Sequence, residues 1–516
     1  MKKFLAITIV FLFFGMIIFP SSGIKIDKNI IISSGRGNTL YVGGSGPNNY
    51  TLIQDAIDNS SDGDTVFVYD DSSPYNEHLI INTSINLIGE NRDTTTINGG
   101  ASGIVIDFIA DNVNVSCFTI TQGGKNALYV NSENNTINCN NFISNTWIAI
   151  YITGKSNRIT NNTIDDNYHT GVYVKSSSEN NFIYNNTIQN CGQWGIFLGT
   201  SCGNIISGNT IINCELDNIA CGSGKNHVII NNTLAVGRHP GINLVGTDYS
   251  IVSGNDISDF SHGILLNGAH NNIVTKNYIH DNYNWGIRLF SATFNTISHN
   301  QFINNGEGIT IGWSDNNTIF SNLILWSSQI GLHLFGFNNS IYHNNIIKNK
   351  KNAEESSQFV NSWDNGYPSG GNYWDDYTGE DLDGDGIGDN PYYIPESNSS
   401  DRYPLMEPYG EIPLMIRFVK PEYHFLYVLN KRIFYLYPTY PTMILGKITV
   451  TIEVLNSSKV ERVELFINNN LEITFVDEPY LWIWNKRTFS RQSLKAIVYD
   501  NAGNNATIKM TVWKFF

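Results

Sequence analysis

Positive charge is scarce in this 516-residue chain, where 31 Lys and Arg stand against 46 Asp and Glu and the formal net charge is −15. That balance argues against nucleic acid as a partner, since affinity for it rests on neutralising phosphates. Cysteine is sparse as well, six residues in all with no Cys-x-x-Cys, which argues against a zinc-type site. After the first 20 residues no apolar run approaches membrane length, so no internal membrane span is expected. Regularly spaced leucine is also missing, and the short β-branched runs are broken by Asn, Gly and Ser. Leucine-rich and helical solenoids are thereby excluded.

The chain begins with Lys2 and Lys3, an apolar run from Phe4 to Phe19, and Pro20-Ser-Ser-Gly23, which predicts a secretory signal over residues 1–23, with an uncleaved anchor as the alternative. Gly (45 residues), a low charged fraction (15%) and 13 Asn-x-Ser/Thr sequons fit an exported, cell-surface glycoprotein.

Asn recurs at one point of a repeat of roughly 22 residues: Asn140, Asn162, Asn186, Asn209, Asn232, Asn255, Asn277, Asn300, Asn322 and Asn344. Three residues before each stands an Ile or Val, from Ile137 to Ile341, and two after it Phe142, Ile164, Ile188 and their equivalents. An earlier coil keeps Val115, Phe118 and Ile120 on the same beat without the Asn. A repeat of this length stacks units that cannot bury a core singly. The expected fold is all-β, a single-stranded right-handed parallel β-helix of about eleven or more coils. Equivalent side chains then lie ~4.8 Å apart, and a buried Asn is satisfied by the Asn of the next coil.

Stacking brings Cys117 onto Cys139 and Cys191 onto Cys214, and sets Cys202 opposite Cys221, so three inter-coil disulfides are expected. Free thiols are the alternative.

The predicted domains are an N-terminal cap and first coils (40–112), the β-helix repeats (113–349), an Asp/Gly/Trp-rich segment (350–410) and a C-terminal sandwich of immunoglobulin type (411–516). In the cap, the amphipathic stretch Tyr50–Asp58, apolar at Leu52, Ile53, Ala56 and Ile57, should shield the open first coil. In the third segment, Asp381-Leu-Asp383-Gly-Asp385-Gly-Ile387-Gly-Asp389 spaces carboxylates as calcium ligation requires. Asp381, Asp383, Asp385 and Asp389 would give side-chain oxygens and Ile387 its carbonyl, and bound calcium would stiffen the joint to the sandwich. A solvated acidic turn is the other reading.

Two features could touch a ligand. Tyr129, Tyr151, Tyr173 and Phe197 occupy the outward position of successive Gly-Ile-x-Leu strands, an aromatic row suited to stacking on sugar faces or to stabilising the sheet; Trp147 and Trp194 could extend it. Asp259 and Asp281 lie in adjacent coils as a candidate carboxylate dyad. Other coils place Asn190, Asn213 and Asn304 at that position, which reads as a turn. Arg238 and Arg288 are the arginines that could serve as a lyase base. His262, His280 and His333 read as surface residues. His299 and His343 share a coil position but are separated by the coil of Ser321, about 10 Å by strand spacing.

The Tyr50–Asp58 and Gly63-Asp-Thr65 stretches, the Asn-x-Ile coils and Gly371-Asn-Tyr-Trp-Asp375 ahead of the Asp-rich loop resemble the NosD-like β-helix proteins exported by many archaea, of pectate-lyase-like architecture. The loop resembles those of dockerins, and Val498-Tyr-Asp-Asn-Ala-Gly-Asn504 resembles attached immunoglobulin-like modules. The resemblance implies export, and copper delivery through clustered His, Met or Cys. The residues themselves favour a monomeric, calcium-bound surface module that binds an extracellular glycan or a surface protein. A polysaccharide lyase or glycosidase is the alternative, and copper maturation the third.

Overall fold

The computed structural model describes residues 37–436, 440–455 and 460–516; the expected signal at 1–23 lies outside them. Each coil is three short strands joined by tight corners, for example Arg158–Thr160, Thr163–Asp165 and Val172–Val174, stacked under Phe182–Tyr184, Thr187–Gln189 and Ile196–Leu198. Register is residue for residue: Ile159 pairs with Ile183, Ile164 with Ile188 and Tyr173 with Phe197, all in parallel. The first strands of the coils line up in a 14-stranded parallel sheet, so the chain is a right-handed parallel β-helix of about 14 turns. The predicted inward residues, among them Ile137, Ile159, Phe142 and Ile164, are fully buried, each worth roughly 1.5–3 kcal/mol.

The Asn ladder runs unbroken. Asn186 donates through Nδ2 to Asn209 Oδ1 at 3.0 Å, and Asn209 to Asn232 Oδ1 at 3.0 Å. The backbone N–H of Asn186 donates to the same Oδ1 at 2.9 Å, and its Nδ2 also reaches the carbonyls of Ile159 and Tyr184. No polar atom of these amides is stranded, which is why they can be buried. The structure adds two columns. Asn135, Asn157, Asn181 and Asn204 form one, resumed by Asn272, Asn295, Asn317 and Asn339; Asn145–Asn167 and Asn282–Asn305 belong to another.

Each ladder residue follows a corner residue in the left-handed region. Asp166, Asn190, Asn213, Asp259, Asp281 and Asn304 share one corner, at φ of 53–64°. Asn and Asp tolerate this conformation better than other L-residues because their short side chains bond locally.

At the N-terminal end the helix Ile53–Asp58 covers the first coil with Ile53, Ala56 and Ile57. Leu52 precedes the helix and is exposed, contrary to the amphipathic reading. Glu77 caps the helix from the next coil, accepting from the amides of Ile53 and Gln54. At the other end coil-like strands continue past residue 349, through Lys351–Glu355 and Tyr373–Trp374. The main ladder finishes on Asn372, whose amide donates to Asp401 Oδ2 at 2.7 Å, and Trp374 Nε1 reaches the same oxygen. Any Cβ on Gly371 would sit 1.8 Å from that carboxylate, which accounts for the glycine.

The C-terminal domain is a β-sandwich of a three-stranded and a seven-stranded sheet around Val450, Trp484, Val498 and Val512. Its strands include Val460–Ile467, Leu481–Trp484, Phe489–Asp500 and Asn505–Phe515. It docks on the side of the β-helix. Leu455 and Met415 pack on Leu323, Leu325 and Trp326, Arg417 lies over the Trp326 ring, and Lys348 pairs with Glu453 at 3.0 Å.

Candidate functional site

The outward position of the third strand in each coil makes one continuous column. From register it runs Asp107, Tyr129, Tyr151, Tyr173, Phe197, Ala220, Asn243, Leu265, Arg288, Thr310, His333 and Glu354. The four predicted rings stack at centroid separations of 5.5, 5.1 and 5.0 Å. Burial, with Tyr173 and Tyr129 beside it, raises the Tyr151 phenol above its ordinary range. Trp147 and Trp194 do come round. Trp147 stacks on His169 at 4.2 Å, His169 meets Trp194 at 6.2 Å, and Trp194 lies 4.7 Å from Phe197. The result is a second line of rings beside the first, with Trp147 44% exposed.

Farther along this face, Asp217 accepts from Asn243 Nδ2 at 3.1 Å and from Trp194, and burial raises its carboxyl. Beyond it, Trp285, Arg288, Glu307, Thr310 and His333 line a cleft of about 340 Å³ together with Phe335. Glu307 accepts from Trp285 Nε1 (3.2 Å), from His333 Nδ1 (3.1 Å) and from Thr310 Oγ1. Burial pushes its carboxyl up, but the bonds from His333, Thr310 and Trp285 outweigh that and hold it below the usual range. The Arg288 guanidinium lies over the Trp285 ring at 4.6 Å, and His262 packs on the same ring at 4.6 Å. His262 and His333 stay partly exposed, as their surface reading expects, and their contacts with Trp285 and Glu307 place them in one cleft with Arg288. Arg288 and His333 share the outward strand position, two coils apart on one face.

The carboxylate dyad sits elsewhere. Asp259 Oδ1 pairs with His424 Nε2 at 2.9 Å, while Asp281 binds His280 Nδ1 at 2.7 Å and Asn304 Nδ2 at 2.6 Å. Asp281 also lines a cleft of about 420 Å³ at the domain joint, with Tyr423, His424 and Arg432. Both acids are thus engaged in holding corners and domains together. His280, its side chain 21% exposed, lies between Asp256 and Asp281.

Asp381, Asp383 and Asp385 converge, each offering an oxygen within 4.8 Å of the others. Asp389 does not join them but accepts the Leu382 amide at 2.7 Å. Asp381 accepts the amides of Gly386, Gly384 and Asp385, bonds that hold its carboxyl below the usual range. The loop hydrogen-bonds to Pro404 and Met406, whereas the domain joint is built from Trp326, Lys348, Arg417 and Glu453.

All six cysteines are free thiols. Cys117 and Cys139 stack and share a hydrogen bond, as do Cys191 and Cys214. Cys202 and Cys221 are not opposed: Cys202 bridges to Lys225, and Cys221 is buried in register with Leu198 and Leu244.

Soft donors of the kind copper prefers stand in the stacked thiol pairs Cys117–Cys139 and Cys191–Cys214. Among the described residues the one group of three or more His, Cys, Asp or Glu is the Asp381–Asp383–Asp385 set, hard oxygen donors that suit calcium better than copper. His299 packs against Phe320, and His343 stacks on Tyr409 and bonds the Ser369 carbonyl.

Comparison with curated proteins gives no match. Among solved structures, the A-module of the Azotobacter vinelandii mannuronan C-5 epimerase AlgE4 is 15% identical over 60% of this chain and 92% of its own, with a TM-score of 0.40. A mannuronic acid specific family 6 polysaccharide lyase from human gut microbiota is 12% identical over 61% of this chain and 87% of its own, with a TM-score of 0.47. Likenesses this distant carry nothing about chemistry. The family model described as periplasmic copper-binding protein (NosD) matches residues 57–239 and 217–379. That is more than half of the chain, with the coils and their Asn ladder at its centre, and the chain belongs to the NosD family.

Proposed function

We propose that this protein is an exported, cell-surface β-helix module that binds polysaccharide along its outward strand face and does not cleave it. One observation carries the reading: Tyr129, Tyr151, Tyr173 and Phe197 stack in register beside the Trp147–His169–Trp194 line, giving two adjoining tracks of partly exposed rings. Partly exposed rings repeated at a strand spacing offer an apolar ridge to successive units of a glycan, whose C–H faces pack on it while hydroxyls stay in water. The three converging Asp carboxylates would take calcium, which stiffens the end of the β-helix.

The test is a binding isotherm for the full chain against neutral and acidic oligosaccharides, with product analysis in parallel. Tyr151→Ala with Tyr173→Ala should weaken binding about tenfold or more while the unfolding temperature shows the coil still assembled. Unchanged binding would overturn the reading. Release of reducing or unsaturated sugar ends would replace it with the enzymatic one.

A further inference from the structure

The cleft beyond the aromatic row has a chemistry of its own. Arg288 is held on an aromatic floor, its guanidinium 4.6 Å from the Trp285 ring centre and 5.7 Å from that of Phe290. Its Nε is buried without a hydrogen-bond partner, and the guanidinium makes no ion pair among the described residues. Glu307 forms no ion pair with it: Trp285, Thr310 and His333 all donate to Glu307 Oε2, which leaves Oε1 to accept from a ligand. The planar fork of the guanidinium matches an anion two-pronged. The walls also matter. Phe335 packs at 4.2 Å on the His333 ring and lines the cleft with Phe359, so the anion belongs on a ligand with an apolar face rather than to a free ion. At about 340 Å³ the space lies at the small end of ligand sites, ~300–1,000 Å³.

We propose that this cleft is a subsite for a carboxylated sugar, in which Arg288 pairs with the carboxylate of a uronic acid unit, Trp285 and Phe335 flank its ring, and Glu307 accepts from its hydroxyls. Resting on the reading of the strand face as glycan-binding, the proposal gives that face its substrate class: an acidic polysaccharide lies along the column, its rings on Tyr151 and Tyr173 and one acidic unit at Arg288. Glu307 is kept ionised by its three donors, which makes it an acceptor for hydroxyls and a repellent for carboxylates placed elsewhere in the cleft.

The experiment is calorimetry on the full chain with hexamers of galacturonic and mannuronic acid, and with the same hexamers after reduction of their carboxyls to alcohols. At least one acidic hexamer should bind, with affinity falling as salt rises, and reduction of its carboxyls or Arg288→Gln should each cost about tenfold. The reduced hexamers keep the test independent of how Arg288→Gln folds. Equal binding of acidic and reduced hexamers, or a folded Arg288→Gln chain with undiminished affinity, overturns the subsite. Should Tyr151→Ala with Tyr173→Ala weaken both forms while Arg288→Gln weakens neither, the glycan face stands and the acidic subsite falls; binding of no hexamer removes both.

Discussion

His424 Nε2 lies 2.9 Å from Asp259 Oδ1, although 165 residues separate the two in sequence. The contact ties the sandwich to a corner of the β-helix, and Tyr423 beside it is half-buried, its phenol raised by desolvation and by the charges of Asp281 and Asp259. One coil along, His280 donates to Asp256 at 3.0 Å and to Asp281 at 2.7 Å.

This joint should weaken in alkali. Burial disfavours both imidazolium ions, but their carboxylate partners outweigh it, raising His424 and bringing His280 to about 10. Each folded value exceeds the ~6.5 of an unfolded histidine. The stability they lend is thus fully present below pH ~6.5 and is lost as pH rises through the folded values. Thermal unfolding followed from pH 6 to 10 should show a falling transition, and His280→Gln should flatten the fall; an unaltered slope would refute the assignment.

The ladder should be intolerant of single truncations. Asn209→Ala strips the acceptor from the Asn186 backbone and side-chain amides and the donor from the Ile183 and Ser207 carbonyls. With several buried groups stranded, a loss of about 3 kcal/mol or more is expected in denaturant unfolding. A loss under about 1 kcal/mol would mean that water replaces the amide.

Thiol reactivity should separate the cysteines. The Cys117 thiol donates to the Cys139 sulfur, which lowers the Cys139 thiol and, together with burial, raises that of Cys117, while Arg92 nearby favours both thiolates. Alkylation of the reduced native chain should mark Cys139 first, with Cys191, Cys214 and Cys221 protected by burial. Under oxidising conditions the stacked pairs Cys117–Cys139 and Cys191–Cys214 should close, and peptide mapping should find Cys202 and Cys221 still free. A Cys202–Cys221 bridge would contradict the register.

Calcium at millimolar concentration should raise the unfolding temperature by about 2–4 °C, and Asp383→Ala with Asp385→Ala should abolish the rise. An equal rise in the double variant would exclude the loop as the site.

Why some of this was legible in sequence and some not follows from what each residue's neighbours are. Ile137, Asn140 and Phe142 repeat because every coil poses the same packing problem, so periodicity alone revealed the fold. The second Asn column stands five residues before the first, at Asn135, Asn157 and Asn181, and the same count would have found it. It is interrupted by His227, which accepts the Asn204 amide and is held neutral by burial at a pKa of about 4. The aromatic row was visible because one residue type recurs at one coil position. Arg288 and His333 share the outward position of that row, but the cleft they form with Glu307 was not legible, because a cleft needs different side chains from neighbouring coils and such variety leaves no periodic trace. The joint was equally hidden, since nothing local to Asp259 announces His424.

The most direct test of the account is a crystal structure of the full chain grown with an acidic oligosaccharide. The prediction is sugar density along the outward strand column, rings against Tyr151 and Tyr173 and a carboxylate at Arg288. Density confined to the Asp259–Asp281 side, or a bare strand face at saturating ligand, would contradict it.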